Sequence, residues 1–164
     1  MIITDRLGLD PAYSNFTVQH ALSGFVKGIR TVPDSRIALT TFDGPVVRIT
    51  GFNAPPAELN KAIGRLATNA VESGLLNAVV DACELLRDSK TDRKAIFAMF
   101  AAYRADTSNQ WDAKAVMTMW QSNASFWALE VQSIGGAVGG NAPREQVVGL
   151  GSQMSGGMHV NVAS

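Results

Sequence analysis

The chain has 164 residues, the size of one ordinary domain, and its 46% hydrophobic and 17% charged residues exclude a disordered segment. Lys and Arg number 14, as do Asp and Glu, so the formal net charge is zero. That balance argues against nucleic acid or an anionic membrane surface as a partner.

Residues 1–4 read as a short buried strand running into Asp5. Asn15 can cap a helix to about Arg30, with Phe16, Leu22, Phe25, Val26 and Ile29 near helical spacing. Gly24 and Gly28 lower its helix propensity, which points to close packing against a sheet. SRIALTTF (35–42) is a strand, Asp43-Gly44 a hairpin turn, and PVVRIT (45–50) an antiparallel return. After Pro55-Pro56, AELNKAIGRLA fits a helix with Leu59, Ile63 and Leu66 on one face. A helix over about 73–87 follows, with an apolar stripe that includes Leu75, Val79 and Leu86. Within it Cys83 is expected as a small buried residue, and a single cysteine excludes both an internal disulfide and a Cys-rich zinc site.

RKAIFAMFAAY (93–103) is nearly continuous in apolar residues, as a central parallel strand covered on both faces should be. A helix around 111–122 turns Trp111, Ala115, Met119 and Trp120 inward. SFWALEVQSI (125–134) is another strand, PREQVVGLG a short helix, and GGMHVNVA (156–163) a last, edge strand. Strands alternating with helices predict one α/β domain over 1–164, Rossmann-like, with a doubly wound, mostly parallel central sheet. Helices cover both faces, and the hairpin adds one antiparallel edge strand.

No apolar run reaches the length of a membrane span, so membrane insertion is not expected. No cleavable leader precedes the first strand, which is the pattern of a domain excised from a longer protein.

The run SRIALTTFDGPVVRITGF, then a helix, then SGLLNAVVDACELL and RKAIFAMFAAYRAD, resembles von Willebrand factor type A domains. The closing SFWALEVQSIGG is similar to the late strand of that family, and the resemblance covers nearly the whole chain. More narrowly, it points to the bacterial group whose metal motif is often degenerate. It implies a metal-ion-dependent adhesion site, in which Asp-x-Ser-x-Ser, a Thr and the Asp of Thr-Asp-Gly hold magnesium. An open coordination position then accepts a partner's carboxylate. Matched by position, Asp5 takes the leading Asp, Leu7 and Leu9 replace the two Ser, and Ser73 takes the Thr position. Ala101, or Ala102 with a one-residue slip, replaces the second Asp. Leucines cannot ligate a cation and disfavour its solvation, so no metal or other cofactor is expected. Magnesium is the ion any residual site would hold, and Asp5, Ser73 and Asp106 are its vestigial candidates.

Each candidate also has a structural reading. Asp5 can accept hydrogen bonds from Ser73 or from N–H groups at a helix start, and Ser73 can cap the 73–87 helix. Asp106, in YRADTSNQWD, follows the central strand at the end where open α/β sheets bind ligands. It could supply a displaced acidic ligand with Thr107 or Ser108, or cap the following helix together with Asn109. Tyr103 and Arg104 read either as a protein-contact anchor or as a core-capping Tyr beside a solvated Arg. With Asp43 they define the partner-binding face that the resemblance implies.

The tryptophans read as packing residues. The glycines of SIGGAVGGN and MSGGM lack the order and position of a dinucleotide fingerprint. His20 and His159 pair with no nucleophile-bearing turn.

The functional expectation is a non-catalytic protein-interaction or adhesion-type domain with a degenerate metal site. Its partner would be another protein or neighbouring domains of the parent chain. One alternative is a cation-dependent adhesion domain using Asp5, Ser73 and Asp106 as displaced ligands. Another is a small α/β enzyme or nucleotide binder using the late glycine loops. No nucleophile, base and orienter can be named together, so an enzyme is not expected. The resemblance favours a secreted or periplasmic location.

Overall fold

The computed structural model describes residues 1–5, 14–66, 73–102, 106–132 and 142–163. In chain order the elements are β1 (Ile2–Thr4), α1 (Ser14–Ile29), β2 (Leu39–Thr41), β3 (Val47–Thr50), α2 (Pro56–Ile63) and α3 (Leu75–Arg87). These are followed by β4 (Ala95–Ala101), α4 (Asp112–Ser122), β5 (Ser125–Gln132), α5 (Ala142–Ser155) and β6 (Met158–Ala163). The sheet order is β3-β2-β1-β4-β5-β6, parallel throughout except where β3 returns antiparallel to β2 at one edge. The expected doubly wound α/β sheet with one antiparallel edge strand is what forms.

Local chemistry explains the boundaries. Pro56 opens α2, where its missing N–H would be unpaired in any case. Asn123 ends α4 in the left-handed conformation (φ 53°), returning its N–H to the Trp120 carbonyl. Gly44 (φ 79°) supplies the positive φ of the β2–β3 turn. At the turn from α5 into β6, a Cβ on Gly157 would overlap the Phe126 carbonyl, so this position takes glycine.

β4 lies at the centre and divides the core by alternation. Ile96, Ala98 and Phe100 join Phe42, Val79 and Phe126 beneath α3, α4 and α5. Met99 and Ala101 join Ile2, Leu22, Leu39 and Ile63 beneath α1 and α2, with Phe97 partly buried beside them. The Phe25 ring of α1 stacks on Phe97 at 4.1 Å.

Two packing expectations are corrected. Gly24 and Gly28 are exposed, with open space where a Cβ would stand. The buried residues of α1 are Leu22 and Val26, and a glycine two positions after each falls on the far side of a helix. Trp111 and Trp120 are also exposed, at 78% and 72%, whereas Ala115 and Met119 are buried as expected. Trp111 precedes the helix in an extended conformation, and Trp120 is one step around from Met119, off the inward stripe. The side chain of Phe16 and the SIGGAVGG segment lie outside the described residues.

Cys83 sits fully buried in the larger core, and burial pushes its thiol up to about 12 despite a hydrogen bond with Ser122. The thiolate is the reactive form, so the native protein should resist a thiol reagent at pH 8 and react fast in denaturant. Labelling at the unfolded rate under native conditions would contradict this packing.

Candidate functional site

The candidate residues converge at the carboxyl ends of the central strands. The chain leaving β1 stays on β4, because the Asp5 N–H donates to the Met99 carbonyl at 3.2 Å. The Asp5 carboxylate is 1% exposed, and its Oδ2 accepts the Ala101 N–H at 3.0 Å. A side-chain oxygen thus takes a β-strand N–H at the point where β1 has ended. The expected donation from the Ser73 hydroxyl is not made, and the end of β4 supplies a donor to Asp5.

A residue that sequence reasoning missed meets the same strand end. Arg144, in the first turn of α5, is 2% exposed. Its guanidinium donates to the Ala101 carbonyl at 2.5 Å and lies 4.3 Å over the Phe100 ring. A signal was present in PREQVVGLG: a cation in the first turn of a helix opposes the macrodipole, so a compensating anion or carbonyl is needed elsewhere.

The start of α3 is built from three segments. The Gly74 N–H donates to the Phe42 carbonyl at 2.8 Å, tying α3 to the end of β2. A Cβ on Gly74 would fall 2.5 Å from the Gly44 carbonyl, so this approach takes glycine. Ser73 forms an isolated parallel bridge with Asp106, and its carbonyl accepts the Thr107 N–H at 2.7 Å. Asp106 accepts the Leu76 N–H on Oδ2 at 3.3 Å and the Ser108 N–H on Oδ1 at 2.8 Å. Ser108 Oγ accepts the Asn77 N–H at 3.1 Å.

These bonds correct two readings. Asp106 and Ser108 cap α3, thirty or so residues earlier, and not the helix that follows them. Ser73 is not the side-chain cap of α3: Gly74 holds that position, and the buried Ser73 Oγ has no hydrogen-bond partner. The reason is the same for both, since the first amides of α3 face the loop after β4 and are satisfied from there.

Asp43 follows Phe42 at this end of the sheet and is half-buried. Leu7, Leu9, Tyr103 and Arg104 lie outside the described residues. Among the described residues no three His, Cys, Asp or Glu side chains gather where they could hold one metal ion. His159 is engaged with Glu130 at 2.9 Å, far along the sheet on β6, and His20 is exposed on α1.

This architecture can be compared with solved structures. The type A domain of Rpn10 superposes with a TM-score of 0.67 at 11% identity, covering 99% of this chain and 86% of that one. BatB from Bacteroides thetaiotaomicron gives 0.69 at 10% identity, covering 99% and 89%. The chain has a von Willebrand type A fold. An aerotolerance-related membrane protein from Bacteroides fragilis shares the type A fold at a TM-score of 0.69 and 12% identity, covering 99% and 90%. No protein-family model matches the sequence, and a search of curated proteins finds no match either. At these identities the likeness concerns the fold alone.

Loss of the cross-segment cap should be measurable. Asp106→Ala removes the acceptor for Leu76 and should cost about 0.5–2 kcal/mol in urea unfolding. A loss that instead depends on added magnesium would assign Asp106 to a cation. Gly74→Ala should destabilise more than a solvent-exposed Gly24→Ala, because only the former drives a methyl into backbone.

Proposed function

We propose that the chain is a non-catalytic protein-interaction domain that binds its partner along the β5–β6 margin of the sheet, without a resident cation. The carrying observation is an uncovered apolar strip. Trp127 pairs with Met158, Leu129 with Val160, and Val131 with Val162, all on the face that α1 covers over β4. Trp127, Met158, Val160 and Val162 are 39%, 51%, 40% and 42% exposed. Contiguous exposed apolar side chains of this kind mark interaction sites, whereas scattered ones do not.

The two sheet edges differ in a way that supports this reading. At the β3 edge, Arg48 is charged and bonded to Asp81 at 3.3 Å, and the ladder to β2 shifts register between Leu39 and Thr40. Charge and irregularity are standard protections against further strand pairing. β6 (MHVNVA) has no Lys, Arg, Asp, Glu or Pro and runs in unbroken register with β5. A partner's extended segment, apolar at alternate residues, fits such an edge. Two structural neighbours are named as parts of assemblies, the human COPII-coat protein Sec24c and a mussel byssus thread matrix protein, which agrees with an interaction role.

The reading without a resident cation is supported by two carboxylates at the strand carboxyl ends that are engaged with backbone groups. Asp106 commits both carboxylate oxygens, and Asp5 its Oδ2, to backbone N–H groups, while a guanidinium lies at the same strand end. Among the described residues, two groups that could serve catalysis are engaged or buried: His159 holds Glu130, and the Cys83 thiol is buried and protonated.

A photo-crosslinking residue at Val160 tests the assignment, with one at the similarly exposed Val47 as control. In cells, discrete adducts should form from position 160 and disappear when Met158 and Val162 are both changed to Glu. Equal adducts from both positions, or adducts indifferent to the Glu substitutions, would remove the β6 margin as the binding surface.

A further inference from the structure

We propose that Arg144 is the built-in counter-charge of Asp5, coupled to it through the peptide groups of Ala101, so that this end of the sheet carries its own cation. The direction in which Ala101 faces follows from the alternation of β4. Along β4, odd-numbered residues turn their backbone groups toward β1: the Phe97 N–H donates to the Met1 carbonyl, and the Met99 carbonyl accepts from Asp5. Even-numbered residues turn toward β5, as the Ala102 N–H does in donating to the Val131 carbonyl at 3.0 Å. Ala101 therefore turns both its N–H and its carbonyl to the β1 side. Asp5 takes the N–H and Arg144 takes the carbonyl.

The guanidinium reaches this position from the opposite layer. Arg144 starts on α5, passes over the Phe100 ring and ends on the Ala101 carbonyl. Carboxylate and guanidinium thus flank one residue, each almost fully buried, with opposite charge at opposite ends of its polar groups. Removing either from water is strongly unfavourable, each offsets part of that cost for the other, and the coupling is strengthened by the low local dielectric. The hydrogen bonds polarise in the same sense, since a donor to the Ala101 carbonyl and an acceptor for its N–H both align with the backbone dipoles. Arginine suits the position better than lysine because its planar fork can bond a carbonyl and still lie flat over an aromatic ring.

A double-mutant cycle in urea unfolding tests the proposal. Arg144→Met and Asp5→Asn should each lower the folding equilibrium constant, by on the order of a hundredfold for the former. Together they should lower it by about tenfold less than the product of the two single effects. Arg144→Lys keeps the charge without the fork and secures the test if the Met variant does not fold. Its loss should be intermediate in the otherwise unchanged chain and markedly smaller in the Asp5→Asn background. If Arg144 acts only by laying its stem on Phe100, Met and Lys will cost the same and their losses will not depend on residue 5. That result would overturn the proposal.

Discussion

The carboxyl end of the sheet depends on how β4 is held after β1 has stopped. β1 is three residues long and β4 seven, so the last turn of β4 has no backbone neighbour from β1 to complete its ladder. A buried backbone N–H without an acceptor is strongly disfavoured. Asp5 resolves this by lending a carboxylate oxygen to Ala101, and Arg144 satisfies the same residue's carbonyl. The strand end that defines the ligand face of an open α/β sheet is thereby held by charged side chains from the residue after β1 and from α5.

A second tie completes that end. Ser73 bridges Asp106, and Asp106 with Ser108 caps α3, so the loop after β4 is joined to the helix that packs beneath the sheet. Gly74 in turn meets the Phe42 and Gly44 carbonyls at the end of β2. Three loops therefore satisfy one another's backbone groups. Of the side chains that a cation-binding reading would direct at an ion, Asp5 and Asp106 accept backbone N–H groups instead, while the buried Ser73 Oγ makes no hydrogen bond. The apolar surface left in excess lies elsewhere, along β5 and β6, and this division underlies the proposed reading of the domain as a binder that works through its margin.

The alternation of strands and helices was legible because each element carries its own local pattern: the Pro-Pro start of α2, the Asp43-Gly44 turn, the apolar run of β4. The hairpin was correctly placed at an edge, and the β6 segment was correctly read as the other edge. The readings that failed concern contacts that no local window contains. Asp106 bonds Leu76, Ala101 bonds Asp5, and Arg144 bonds Ala101, across 30, 96 and 43 positions. From spacing alone Asp106 looked like a cap for its neighbour and Ser73 like a cap for its own helix. Trp111 and Trp120 misled for a different reason: large apolar residues are presumed buried, yet helix phase and an extended residue before the helix left both outside. Arg144 was legible only as an anomaly, a cation where a helix start favours an anion.

We propose that this end of the sheet holds its fold without a bound divalent ion. Thermal unfolding in chelator, compared with millimolar magnesium and with millimolar manganese, tests it most directly. One midpoint is expected in all three conditions. A midpoint that climbs with cation concentration would show an ion bound to the native state and would contradict it.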